Sequence, residues 1–270
     1  TRSSGVSILS EKPRIDLLHP GAMGVSVGAA LLAGGGDVFW ASAGRSRATI
    51  ERARTRDFSD CGTLQKLVAN VSVIISVCPP HAALAMADEV RSEGFHGLFV
   101  DANAISPTTA LQVEETMSRA GARYVDGGIV GPPPDVGGST RLYLSGADAD
   151  AIVGLFASSL IEAICIGPRS GAASALKMCY AAYTKGSDAL LLAIRALASA
   201  EGVDDVLRSE WQRSQPEVYA RSERAAAGSA PKAWRFEREM REVAASMFVH
   251  DLPAGFHESA AELYKVLSVF

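Results

Sequence analysis

Residues 14–46, RIDLLHPGAMGVSVGAALLAGGGDVFWASAGRS, constrain the fold more than any other stretch. Ile15 to Leu18 read as a strand, Gly21 and Gly24 as a tight turn, Val25 to Leu32 as a helix, and Asp37 to Trp40 as a second strand. Elements in that order form a dinucleotide cradle, in which a glycine turn lets a pyrophosphate approach the backbone at a helix N-terminus. The first glycine of the usual GxGxxG pattern is replaced by His19. The motif therefore rests on its strand–turn–helix context, and an ordinary βα turn is the alternative reading.

Composition narrows the partners. The chain has 26 Lys and Arg against 30 Asp and Glu, a formal charge of −4, and no Lys/Arg-rich run. It therefore carries no electrostatic footprint for nucleic acid or for an anionic membrane surface. A small anionic metabolite would have to be held by a few local cations. Cys61, Cys78, Cys165 and Cys179 lie far apart without CxxC spacing, which predicts reduced thiols in a cytoplasmic compartment and no metal site. Cys78 and Cys165 end apolar runs and are expected to be buried. With no basic-plus-apolar leader and no run of membrane-spanning length, a soluble protein is expected, residues 1–13 forming a loose N-terminal arm.

Apolar, strand-like runs recur at residues 71–78, 97–101, 122–126, 141–145 and 163–166, most of them separated by helix-like stretches. This alternation predicts an α/β fold, a Rossmann-type doubly wound sheet over residues 14–168. The Pro/Gly-rich loop from Gly131 to Gly138 admits an antiparallel pair among the later strands. Beyond Pro168 to Gly171 the alternation stops, and residues 169–270 read as an all-α substrate and dimerisation domain. Breaks fall at Gly202, Gln215–Pro216, Gly228–Pro231 and Pro253–Gly255.

The segment 174–200 is apolar over most of its circumference, which suits a helix buried in a core or in a homodimer interface. At 100° per residue, Lys177, Thr184 and Asp188 fall within about 20° of one another, flanked by Tyr180 and Lys185. One reading of this polar stripe is a wetted helix face. The other is a general acid/base lysine in a cleft, its pKa lowered by desolvation.

Taken with Val77-Cys78-Pro79-Pro80, Asp101-Ala102-Asn103-Ala104-Ile105-Ser106-Pro107 and Gly171-Ala172-Ala173-Ser174-Ala175-Leu176-Lys177, the glycine turn resembles the β-hydroxyacid dehydrogenase superfamily, which includes 3-hydroxyisobutyrate and 6-phosphogluconate dehydrogenases. The tail, with Lys232-Ala233-Trp234-Arg235-Phe236 and Gly255-Phe256-His257, resembles a branch described only as 6-phosphogluconate-dehydrogenase-like. The resemblance implies cofactor contacts from Gly21, Ala22, Met23, Gly24, Cys78, Pro79, Pro80 and Asn103. It implies substrate contacts at Gly128, Ile129 and Val130, in a loop after the sixth strand, and makes Lys177 the catalytic lysine. The family's asparagine one turn after that lysine is Ala181 here, with Tyr180 beside it, and the serine of its substrate loop is absent.

The cofactor choice follows from the end of the second strand, where an acid selects NAD and a cation with small donors selects NADP. Ser42-Ala43-Gly44-Arg45-Ser46 has no acid, and Arg45 can pair with a 2′-phosphate while Ser42 and Ser46 donate to it. A solvated loop arginine is the alternative. The expected activity is hydride transfer between NADP(H) and a small hydroxy or keto compound, with Lys177 as general acid/base. Tyr180 either orients Lys177 or simply packs. Lys185 either binds a substrate anion or forms a salt bridge, and His257 is a weaker candidate. The competing readings are an imine reductase-like enzyme and a non-catalytic NADP-sensing protein.

Overall fold

The computed structural model describes residues 13–134 and 136–269. The expected arm therefore lies outside the described residues except for Pro13. The chain divides into two compact units that part between Ser174 and Ala175.

The first unit is an eight-stranded sheet in the order β3-β2-β1-β4-β5-β6-β7-β8. Its strands are β1 (Arg14–Leu17), β2 (Asp37–Trp40), β3 (Ser59–Asp60), β4 (Val73–Ser76), β5 (Leu98–Asp101), β6 (Arg123–Val130), β7 (Thr140–Ser145) and β8 (Ile161–Cys165). Helices α1 (Ala22–Ala33), α2 (Arg47–Arg54), α3 (Leu64–Val68), α4 (Ala83–Ser92), α5 (Pro107–Arg119) and α6 (Ala149–Val153) connect them. All pairings are parallel except β6 with β7, where the 131–138 loop reverses the chain. Gly131 makes that reversal possible: its φ is +121°, and a Cβ there would meet the Ser139 carbonyl oxygen at 2.4 Å.

The period-2 geometry of strands explains the double winding. Ile15, Leu17, Ile75, Val100 and Val125 join one core with Val27 and Leu31 of α1. Their neighbours Leu18, Ile74, Phe99 and Tyr124 join the opposite core with Met86 and Val90 of α4 and Val113 and Met117 of α5. Helix starts follow local capping rules: Ser46 caps α2 and Ser106, followed by Pro107, caps α5.

The second unit is helical. It comprises most of α7 (Ala172–Ala200), then α8 (Asp204–Ser214), α9 (Pro216–Gly228), α10 (Ala233–Val249) and α11 (Gly255–Leu267). The breaks coincide with the expected glycine and proline positions. Arg195 bonds Asp204 and Glu223, and Arg208 bonds Glu223, tying α7, α8 and α9 together. Phe236 and Tyr264 stack edge-to-face at 5.3 Å between α10 and α11. Among the described residues no helix is long and apolar enough to cross a membrane.

Candidate active site

The residues expected to cradle a cofactor gather at the C-terminal ends of β1, β2, β4 and β5. In that order of strands β1 and β4 flank the topological switch point where doubly wound sheets bind ligands. Gly21 is the N-cap of α1, with no side-chain cap and no acid in the first turn, so the early amides of Ala22, Met23 and Gly24 are left without a capping side chain. The space above Gly21 is open, as close approach of a ligand requires. Gly24 is fixed by the turn itself, because a Cβ there would lie 1.9 Å from the His19 carbonyl oxygen. His19 sits partly buried in the turn, and desolvation, reinforced by the positive charge of Arg45, lowers its pKa to about 4. It is neutral at physiological pH.

Arg45 does not extend into solvent. Its Nη2 donates to the Leu18 carbonyl at 3.2 Å, and its buried Nε has no partner among the described residues. Arg52 of α2, which the sequence reading passed over, donates from Nε to the Pro20 carbonyl at 3.1 Å. Two guanidinium groups thus converge on the carbonyls of the glycine turn. The Ser46 hydroxyl is engaged as the α2 cap, accepting from the Thr49 amide at 3.3 Å. The Ser42 amide donates to Asp60 Oδ1 at 3.2 Å. An acid therefore does stand beside this loop, supplied by β3 rather than β2, and it also accepts from the Gly62 amide at 2.8 Å. Beneath the turn, Asp16 is fully buried in β1 with neither oxygen bonded among the described residues. Burial raises its pKa well above the carboxylate range, against the opposing pull of Arg45.

At β4 and β5 the expected ligand-binding groups also hold the sheet edge together. Asn103 is buried, its Oδ1 accepting from the Cys78 amide at 2.5 Å and its Nδ2 donating to Ser76 Oγ at 3.1 Å. It clamps the two strand ends before any ligand arrives. Cys78 and Cys165 are half-buried rather than buried, since both sit at strand ends. Burial and nearby Asp101 push the Cys78 thiol up to about 12, so it is not a nucleophile at neutral pH. Pro79 and Pro80 open a short turn leading into α4. Gly128, Ile129 and Val130 are corrected in place: they lie inside β6, not in a loop, because they pair with Tyr143, Leu142 and Arg141 of β7.

Two buried carboxylates missed by the sequence reading lie side by side, Asp101 on β5 in register with Asp126 on β6. Asp101 accepts from the Asn103 amide at 2.9 Å, but desolvation, which outweighs that bond and is reinforced by Asp126, raises its pKa to about 7. Asp126 accepts from Ser174 Oγ at 2.6 Å, the Ser174 amide at 2.9 Å and Ser145 Oγ at 3.0 Å. Ser145 Oγ in turn accepts from the Ala173 amide at 3.0 Å. Together they cap the first turn of α7, which explains why the first unit extends to Ser174.

In the helical unit the polar stripe of α7 finds partners. Lys185 Nζ lies 3.3 Å from Glu239 Oε2 and 5.2 Å from the Phe236 ring centroid. Asp188 Oδ1 accepts from Arg221 Nε at 2.7 Å, and Arg221 Nη2 also donates to the Thr184 carbonyl at 2.6 Å. Lys185 is thus held by an ion pair within the chain. Burial lowers the Lys177 pKa to about 8; Glu239 opposes the shift, while Lys185 and Arg235 deepen it. At that value a substantial neutral fraction exists near physiological pH, which suits an amine for proton exchange. Tyr180, one helical turn on, is 47% exposed. His257 is buried beside the Ala182 carbonyl and packs edge-to-face on Phe256, so burial lowers its pKa and it serves as a core residue. Glu239 and Arg235, which set the electrostatics around Lys177, occupy i, i+4 positions on α10.

Among solved structures, a conserved protein of unknown function described as structurally similar to 3-hydroxyacid dehydrogenases matches 95% of this chain and 97% of its own, with TM-score 0.70 and 25% identity. The chain has the fold of the β-hydroxyacid dehydrogenase superfamily. The Mycobacterium tuberculosis 3-hydroxyisobutyrate dehydrogenase shares that fold at TM-score 0.69 and 17% identity, over 96% of this chain and 94% of its own. The Aspergillus terreus reductive aminase, solved with NADPH, does so at TM-score 0.62 and 17% identity, over 95% and 93%. Residues 198–267 match a family model described as a domain of unknown function, DUF1932. An uncharacterised 28.5 kDa protein of Methanothermus fervidus is 28% identical over 164 residues, which cover 61% of this chain and 62% of that protein. The local features that sequence alone did not reveal are the buried Asp16 in β1, the paired guanidinium groups on the turn, and the Glu239-centred cluster around Lys177. None has a periodicity signal; Arg235 and Glu239 at helical spacing were the only hint.

Proposed function

We propose that the chain is an NADP-dependent oxidoreductase acting on a small hydroxy or keto compound, with Lys177 as its general acid/base. The observation that carries this reading is the half-buried lysine of α7, whose pKa desolvation draws down to about 8 in the midst of a charged cluster. The open space above Gly21 and the uncapped start of α1 fit a pyrophosphate held by Gly21, Ala22, Met23 and Gly24. Arg45 and Arg52, with Ser42, would hold the 2′-phosphate, the guanidinium groups exchanging turn carbonyls for phosphate oxygens. Cys78, Pro79, Pro80 and Asn103 would border the nicotinamide half. Bound there, the cofactor supplies or accepts a hydride.

Lys177 handles the proton. In reduction its ammonium gives a proton to the substrate oxygen as the carbonyl carbon becomes tetrahedral, and the neutral amine is reprotonated from solvent. In oxidation the neutral amine takes the hydroxyl proton. Gly128, Ile129 and Val130 would offer the substrate mainly backbone groups. Tyr180 would orient Lys177 or share its proton. The exposed Tyr183, Leu190 and Leu197 recur every seven residues along α7. Such a stripe supports a homodimer formed through this helix.

The likeness to reductive aminases, together with Ala181 in place of the superfamily's asparagine, favours imine reduction as the second reading. One panel separates the possibilities: NADPH oxidation with β-keto acids, aldehydes and cyclic imines, by the unaltered chain and by Lys177→Ala. Turnover of the carbonyl compounds should fall roughly 10²- to 10⁴-fold in the variant while NADPH binding persists. Unchanged turnover removes Lys177 from the mechanism, and turnover of imines alone moves the chain to the second reading. NADPH binding without turnover of any compound would leave an NADP-sensing protein.

A further inference from the structure

The helical unit contains a cavity of about 430 Å³ that the proposed chemistry does not use. Its walls are Thr184 and Asp188 of α7, the α9 face carrying Arg221, Arg224, Ala225 and Gly228, the turn residues Ser229 and Lys232, and Phe236 of α10. That volume lies within the range of small-molecule sites. Thr184 and Asp188 follow Lys177 by seven and eleven residues on the same helix, roughly 10 and 16 Å along its axis. The cavity therefore lies away from the proton-transfer group.

Its charges do not cancel. Arg221 is neutralised by Asp188 and fixed in place, bonded also to the Thr184 carbonyl and stacked 4.9 Å over the Tyr183 ring. Arg224 and Lys232 have no ion-pair partner among the described residues, and Asp188 is the only acid on the wall. The lining thus carries two uncompensated positive charges. Ser229 is only 4% exposed as a residue and stands on the cavity wall, where its hydroxyl can donate to or accept from a ligand.

We propose that this cavity binds a small dianion, either a phosphate group or a dicarboxylate, with Arg224 and Lys232 as the charge partners, Ser229 as a hydrogen-bonding group, and Phe236 and Ala225 as the apolar floor. A guanidinium fork and an ammonium on one lining match two negative charges better than one. Monoanions leave one cation uncompensated, which makes them the natural control.

Calorimetric titration of the whole chain with inorganic phosphate, succinate and acetate, at constant ionic strength and pH 8, tests this. At least one of the two dianions should bind roughly ten-fold or more tighter than acetate, and Arg224→Gln with Lys232→Gln should weaken that dianion by roughly ten-fold per charge removed. Preference for phosphate or for succinate identifies the source of the dianion. The proposal is overturned if neither dianion outbinds acetate, or if the double variant binds as the unaltered chain does. Both substituted side chains are exposed, so unchanged circular dichroism is expected and keeps the comparison interpretable. The result is independent of catalysis and of Lys177.

Discussion

The sheet edge of the first unit and the α7 stripe of the second both bury ionisable groups, and they do so by opposite means. At the sheet edge Asp16, His19 and Asp101 are pushed toward their neutral forms by desolvation, with few or no bonds to charge partners. In the helical unit Lys185, Asp188 and Glu239 each lie within ion-pair distance of an oppositely charged group. Neutral groups tolerate a surface from which a ligand can later withdraw water, whereas ion pairs hold a fixed field in place. Lys177, in the helical unit, is subject to both effects: desolvation lowers its pKa to about 8, and the Glu239 carboxylate keeps it from falling further.

Asp126 is the exception at the sheet edge, being bonded on several sides, and its loss should have the largest effect on stability. Replacing Asp126 by alanine strands the Ser174 amide and both serine hydroxyls in a buried position, at a cost of about 2–4 kcal/mol. Urea denaturation should show this as a lower midpoint with an unchanged slope. A loss below about 0.5 kcal/mol would mean that α7 does not depend on the carboxylate for its start.

The neutral-group regime has a pH signature. Because the folded-state pKa of Asp101 is raised to about 7, the folded chain binds more protons than the unfolded one between the ordinary carboxylate range and about 7. This contribution is complete below that range and is lost as pH rises toward 7, at up to about 1.4 kcal/mol per pH unit. Asp101→Asn retains an oxygen that can accept from Asn103 and should flatten this dependence. Equal slopes for both proteins between pH 5 and pH 7 would place the titration elsewhere.

How much of this was readable beforehand differs between the same two regions. The strand–turn–helix order of β1, α1 and β2 is local, so period and glycine placement reveal it. The breaks between α7, α8, α9, α10 and α11 are likewise written in Gly202, Pro216, Gly228 and Gly255. Asp16 was read as part of an apolar strand, since nothing in sequence distinguishes a buried carboxylate from an exposed one at a strand position. Strand β3, two residues long, is too short to show a period. Gly128 to Val130 were placed in a loop by the family resemblance alone, and the ladder to β7 keeps them in the sheet. Asn103 and Ser46 were read as ligand donors, and cross-strand and capping bonds occupy them. Glu239 reaches Lys185 across 54 positions of sequence, and only the packed helices bring the pair together.

Desolvation within a charged cluster holds Lys177 of α7 near the working pH. Nuclear magnetic resonance titration of the Lys177 side-chain amine measures this directly, with the assignment made by its absence in Lys177→Ala. The predicted midpoint is about 8. In Glu239→Gln it should fall lower still, because the group that opposes the shift is gone. A midpoint at the ordinary lysine value of about 10.4, unmoved by Glu239→Gln, would show that neither desolvation nor Glu239 acts on Lys177.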